Sequence, residues 1–272
     1  MKLSLILSIL LVSLIAANIA AEQSGAMFQP VKLIDMPTAG SLPKGTYSLD
    51  FKFFSEGGLS SAVSVGITNR FSFGIAYELM RVIGQMPIKG QPYPGGMIKY
   101  RIMEESYYLP GIALGFDSQG AGISYRRADS TLYPRFYFKS KGFFAAASKS
   151  YLFLGQPLGL HYEINYSAVD NQASSEGRTA SGDPSNRSVN MGFGLDKSIN
   201  DELSVMAEYD FALDDNHRND PLKGYLNACV RWSIVKTFSI ELDFKDIFEQ
   251  KKIEGAPQDM LREMRIVYID KF

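Results

Sequence analysis

From Gly45 onward the chain runs in segments of alternating apolar and polar residues, and the gaps between the segments are sorted by length. The first segment puts Tyr47, Leu49, Phe51 and Phe53 on one face and Ser48, Asp50 and Lys52 on the other. A period of two is that of a β-strand with one apolar face, and about ten residues is what a tilted strand needs to cross a membrane. The pattern recurs with Val63, Val65 and Ile67, then with Phe71, Phe73, Ile75, Tyr77 and Leu79, and again with Ile98, Tyr100 and Ile102. Ile112, Leu114 and Phe116 follow, and a long sixth segment spans 135–150 with a kink at Gly142. Six further segments carry Leu160 to Tyr166, Val189 to Leu195, Leu203 to Phe211, Leu226 to Ile234, Phe238 to Phe244, and Met264 with Ile266 and Tyr268.

Connections from even to odd segments are short, around Asn69, Ser106, Gly155, Asn200 and Lys236. Those from odd to even include the long ones, 83–95, 118–134, 170–187, 214–222 and 247–261, with only 56–58 short. Bacterial membrane barrels have even strand numbers, short turns at one end and long loops at the other. The expectation is an all-β fold, an antiparallel up-and-down transmembrane β-barrel of about 12 strands over residues 45–272. A soluble β-sandwich or lipocalin-like barrel would also alternate, but its apolar face points inward.

Composition agrees without deciding the matter: 46% hydrophobic residues would suit a soluble domain equally well, since barrel strands mix lipid-facing and lumen-facing side chains. After the N-terminus no apolar run reaches the roughly 18 residues of a helical span. A net charge of −1, with no basic block, argues against nucleic acid as a partner. One cysteine, Cys229, permits no internal disulfide and no cysteine zinc site. No cofactor or metal is expected.

The N-terminus carries Lys2, an apolar core over 3–15 and small residues at Ala16, Ala17, Ala20 and Ala21. This predicts a signal peptide over 1–21, the alternative being a retained anchor, for which the apolar core is short. Residues 22–44 then read as a periplasmic lead-in, and the cleaved chain as an outer-membrane protein of a Gram-negative envelope in contact with lipid and lipopolysaccharide.

On this register the polar face lines a lumen with Asp50, Lys52, Glu78, Lys99, Arg101, Lys139, His161, Glu163, Glu208, Arg231, Glu241 and Asp243. Side chains of both signs can line a polar channel or pair across the interior. Twelve strands lie between the eight that side chains fill and the 16 to 18 that leave an open pore. No Walker loop, dinucleotide fingerprint or nucleophile elbow is present. Asp210, Asp214, Asp215, His217 and Asp220 gather near one long loop, where a histidine–carboxylate pair could act as a general base, although Asp and Asn also favour plain turns.

The last strand, with Met264, Ile266, Tyr268 and the terminal Phe272 on one face, resembles that of outer-membrane β-barrel proteins. The resemblance implies an assembly signal read by the barrel-assembly machinery; Asp270 departs from the usual apolar residue. The stretch from Pro37, Thr38 and Ala39 through Gly45 resembles the opening of YjbH-type barrels, which implies a link to exopolysaccharide and to polysaccharide-export components. The expected function is a passive or weakly selective channel for small polar solutes and not an enzyme; a non-conducting envelope scaffold and a rim hydrolase are the alternatives.

Overall fold

A computed structural model describes residues 29–91, 93–128, 131–167, 189–214, 224–250 and 259–272. The expected signal peptide, the lead-in before residue 29 and the loop residues Asp215, His217 and Asp220 lie outside the described residues.

The strands, in chain order, are β1 (Thr46–Phe54), β2 (Gly58–Gly66), β3 (Phe71–Met80), the two-residue β4 (Lys89–Gly90), β5 (Gly95–Met103), β6 (Gly111–Asp117), β7 (Ala121–Ala128) and β8 (Thr131–Phe138). There follow β9 (Gly142–Phe153), β10 (Gln156–Tyr166), β11 (Asn190–Ser198), β12 (Leu203–Asp210), β13 (Tyr225–Val235), β14 (Phe238–Lys245) and β15 (Leu261–Lys271). Leaving out β4, β7 and β8, each strand pairs antiparallel with its neighbours in sequence. The ring closes where β1 meets β15, from Thr46 opposite Lys271 to Phe53 opposite Met264. The result is a closed 12-strand up-and-down barrel without a free edge, the only β architecture in which every backbone group is satisfied inside lipid. Long and short connections sort to opposite ends, as the sequence predicts.

Inside and outside are inverted relative to a soluble barrel. Ile75 is 62% exposed and Trp232 51%, and Phe73, Ile98, Tyr100, Val230 and Leu242 also face outward. The largest fully buried side chains, by contrast, include Lys99, Lys245, His161, Glu78, Glu163 and Glu241. An apolar belt around a charged interior is the pattern of strands solvated by lipid, and it is the reverse of a lipocalin. Tyr47 lies 6.1 Å from Tyr268 and 6.3 Å from Phe272, an aromatic group where β1 and β15 meet at the short-turn end. There the Tyr268 hydroxyl donates to Asp270 at 2.6 Å, which gives that carboxylate on the final strand a local partner.

Two expectations need correction. The sixth segment does not run through 135–150: the barrel strand starts at Gly142, and residues 131–138 instead pair with 121–128 as a separate hairpin. That hairpin occupies much of 118–134, a stretch expected to be an open loop. Phe136 packs on Phe54 and Met80, and Phe138 meets Tyr225 edge-on at 6.0 Å beside Ala212 and Leu261. The alternation continues across the break because both pieces are strands, so periodicity alone could not reveal it.

The second difference concerns residues 29–44. They do not trail below the barrel as a lead-in but fold up into it. Leu33, Ile34, Met36, Ala39 and Leu42 are all buried. Thr38 donates its N–H to the Val31 carbonyl at 3.3 Å and Leu33 to the Met36 carbonyl at 2.9 Å, forming a narrow loop whose tip is Ile34–Asp35. A lumen twelve strands wide is more than its own side chains fill, and this plug takes up the surplus.

Candidate functional site

The plug and the lumen wall form one network. The N–H groups of Ile34, Asp35 and Met36 all donate to the Glu208 carboxylate on β12, at 3.2, 3.1 and 2.9 Å. Three successive backbone donors around one carboxylate make an anion nest, and a charged acceptor makes those bonds stronger than neutral ones. Asn227 on β13 holds the other side of Glu208 at 2.8 Å. Asp35 at the tip reaches Lys52 on β1 at 2.9 Å and also pairs with Lys245 on β14. Lower down, Lys99 on β5 donates to the carbonyls of Val31, Thr38 and Gly40 at 2.5, 3.1 and 3.1 Å, and Arg101 donates to that of Ala39 at 3.0 Å.

Apolar contacts complete the seat. Leu33, Ile34 and Met36 cluster with Met206 and Cys229 on the wall. Gly194 on β11 lets the plug approach closely: a Cβ there would stand 2.3 Å from Leu33 Cδ1 and 2.9 Å from Met36 Cε, so a larger residue would force those side chains to shift.

Most of the remaining charges of the predicted lumen set meet an opposite charge, several of them on residues outside that set. Arg265 on β15 grips Asp50 with Nε at 2.8 Å and reaches Glu241 with Nη1 at 3.0 Å, while Arg231 meets the other oxygen of Glu241 at 2.7 Å. Lys52 and Lys245 each lie 3.5 Å from Glu263. Lys141 bridges Asp210 at 2.8 Å and Glu163 at 3.7 Å. Lys139 pairs with Asp214, so both described acids of the suspected rim cluster are engaged by lysines. Glu78 is fully buried beside Gln119, and Asp243 is buried next to Cys229. Cys229, Glu241 and Asp243 offer ligand atoms within 4.8 Å of one another, but two arginines already occupy Glu241, which makes the trio a poor seat for a cation. Between Asp35 and Phe138 a cavity of about 30 Å³ remains, room for a few waters.

Sequence reasoning placed the wall charges but missed the residues that meet them: Lys32, Asp35, Glu263 and Arg265. Glu263 and Arg265 were legible, since they alternate with Met264 and Ile266. The plug gave one signal, the apolar pair Leu33–Ile34 between Pro30 and Pro37 in an otherwise patternless stretch.

Asp35 makes the seating of the plug depend on pH. Burial alone would raise its carboxyl, but Lys245 and Lys52 outweigh burial and hold it well below the ordinary aspartate value. A depressed carboxyl contributes stability that is fully present above the unfolded value, about 3.9, and is lost as pH falls below it. The share of protease protection of 29–44 that Asp35 contributes should therefore hold from neutrality to about pH 5 and decline only below about pH 4. Protection at pH 7 left unchanged by Asp35→Asn would show that Asp35 does not anchor the tip.

No family model matches the sequence, and no curated protein matches it. Several solved barrels share its general shape. The NanC porin is 12% identical, with 83% of this chain and 99% of that one covered and a TM-score of 0.40. The KdgM porin is 8% identical, covering 84% and 99%, at 0.42. The outer membrane protein Omp33 of Acinetobacter baumannii is 11% identical, covering 84% and 97%, at 0.43. Likeness at this level says nothing about the lumen, and the functional reading rests on the geometry above.

Proposed function

We propose that this chain is an outer-membrane channel for small polar solutes, held closed at rest by its own residues 29–44. The observation that carries the reading is the seating of three plug N–H groups on Glu208 of β12, with Asp35 anchored to Lys245 two strands away and to Lys52 on β1. The apolar belt and sorted loops support the outer membrane as its location. A charged wall behind a separable plug supports a conduit, because a barrel serving only as a scaffold gains nothing from a lumen that must be filled by a second piece of chain.

Planar-bilayer recording tests this. The intact folded barrel is expected to pass no steady current, and the chain lacking 29–44 to give stepwise conductance. Equal currents from both would remove the plug from the account. A folded, plug-free barrel that stays silent would overturn the channel and leave the second reading, a non-conducting envelope scaffold. That reading is favoured by the dense pairing of lumen charges; the resemblance at Pro37, Thr38 and Ala39 would tie it to polysaccharide export.

A further inference from the structure

One group of lumen side chains does not serve the plug's tip. Ser148 on β9 and His161 on β10 face each other across the sheet, with Ser148 Oγ 2.8 Å from His161 Nδ1. His161 Nε2 lies 2.6 Å from Asp196 Oδ1 on β11. Ser148 and His161 are both 1% exposed, deep in the wall.

One arrangement of the protons satisfies every partner of a neutral His161. Asp196 as a carboxylate only accepts, so Nε2 carries the hydrogen, and in the neutral imidazole Nδ1 is then the acceptor. Ser148 Oγ accepts the N–H of Ala39 in the plug at 2.8 Å, and its own proton is free to point at Nδ1. A hydroxyl donating to an imidazole that a carboxylate orients is the arrangement of an activated nucleophile, defined by roles rather than by which ring nitrogen is used. The sequence makes room for it. A Cβ on Gly159 would lie 2.1 Å from Asp196 Oδ1 and 2.7 Å from His161 Nε2, so only glycine lets the pair meet.

The plug supplies the remaining part of the geometry. The same Ala39 that caps Ser148 through its N–H gives its carbonyl to Arg101 at 3.0 Å, and Lys99 holds the carbonyls on either side of it. Ala39 thus holds a plug amide between a hydroxyl that accepts its N–H and a guanidinium that donates to its oxygen. A substrate carbonyl taking its place would have a hydroxyl and cationic donors nearby, the two requirements of acyl transfer.

We infer that Ser148, His161 and Asp196 form a masked serine nucleophile, able to cleave small carboxylic esters that enter the lumen once residues 29–44 withdraw. Ser148 Oγ adds to the ester carbonyl carbon as its proton passes to His161 Nδ1. The bond to the alkoxide breaks, and His161 returns the proton to the departing alcohol. Water, deprotonated by His161, then cleaves the acyl-serine and restores the hydroxyl. Asp196 acts as a positioning residue, through His161. The inference rests on the plug reading, since Ala39 occupies the site at rest.

The test uses the folded full-length barrel and a fluorescent fluorophosphonate, with the labelled residue mapped by mass spectrometry and folding followed by heat-shifted gel mobility. The intact chain should label slowly at Ser148. Ala39→Pro, which deletes the capping N–H, should label several-fold faster, as should Glu208→Gln, which loosens the plug far from the serine. Ser148→Ala should abolish labelling. His161→Gln should slow it and flatten its pH dependence, an effect that a purely structural histidine would not have. A folded Ala39→Pro or Glu208→Gln barrel unlabelled at Ser148, or labelling that His161→Gln leaves unchanged, would overturn the inference. Bilayer currents on the same variants separate the two readings: current without labelling removes the nucleophile and keeps the plugged channel, whereas labelling without current removes the channel and keeps the nucleophile.

Discussion

Arg265→Met is expected to destabilise the barrel by about 3 kcal/mol, the lower end of the range of about 3–5 kcal/mol for breaking a buried ion pair by removing one partner. Arg265 is the hub of the β1–β15 closure. Its guanidinium holds Asp50 through Nε and Nη2, meets Glu241 through Nη1, and with that same Nη1 donates to the Leu33 carbonyl of the plug at 3.2 Å. Methionine fills similar volume but leaves two carboxylates facing a closed lumen. The loss stays near the lower end because each keeps a second cation: Lys32 lies 3.3 Å from Asp50, and Arg231 remains on Glu241. Arg265→Lys should fall between wild type and methionine, since an ammonium keeps the charge but cannot make the two-pronged grip on Asp50. Urea titration of folding into lipid vesicles measures both variants. A loss below about 1 kcal/mol for Arg265→Met would mean that water reaches these carboxylates and that the lumen is wetter than its packing implies.

The parts of the structure legible in the sequence are those that the membrane dictates. Lipid on one side and a charged interior on the other force a period of two along every strand, so the inward positions of Lys99, His161 and Glu208 follow from counting along the chain. Counting the alternating segments led to twelve strands, and the sorting of loop lengths supported an even number, because odd and even connections lie at opposite ends of the barrel. The plug was not legible for the complementary reason: residues 29–44 touch no lipid, so nothing imposes a period on them. Their contacts join positions far apart in sequence, as when Met36 meets Glu208. The Ser148–His161–Asp196 group was hidden in a similar way. Each residue reads as an ordinary inward polar position, and only the cross-strand register, His161 opposite Ser148 and Gly159 opposite Asp196, brings the three together. The split of the long sixth segment was missed because a barrel strand and a hairpin strand leave the same alternation on either side of Gly142.

Strand parity itself yields the other large expected effect. Phe73 and Ala76 lie three residues apart on β3 and point in opposite directions. Phe73 faces outward at 43% exposure, in a row with Val65 on β2 and Ile98 on β5. Ala76 faces the lumen between Ala62 and Gly95, where the neighbouring residues are small. An arginine on the lipid face near the bilayer midplane costs roughly 2–4 kcal/mol, falling toward zero at the interfaces, because the hydrocarbon offers the guanidinium neither water nor a hydrogen-bond acceptor. Phe73→Arg should therefore lose about 2 kcal/mol or more in reversible folding into vesicles, and removing the phenyl ring from between Val65 and Ile98 adds to that penalty. Ala76→Arg places the same charge among polar groups and should lose distinctly less. Its penalty should shrink further when 29–44 are deleted, since the interior then gains room, whereas the Phe73→Arg penalty should not change. Equal penalties for the two variants would place both positions in the same environment, and neither the strand register nor a lipid-facing belt could then stand.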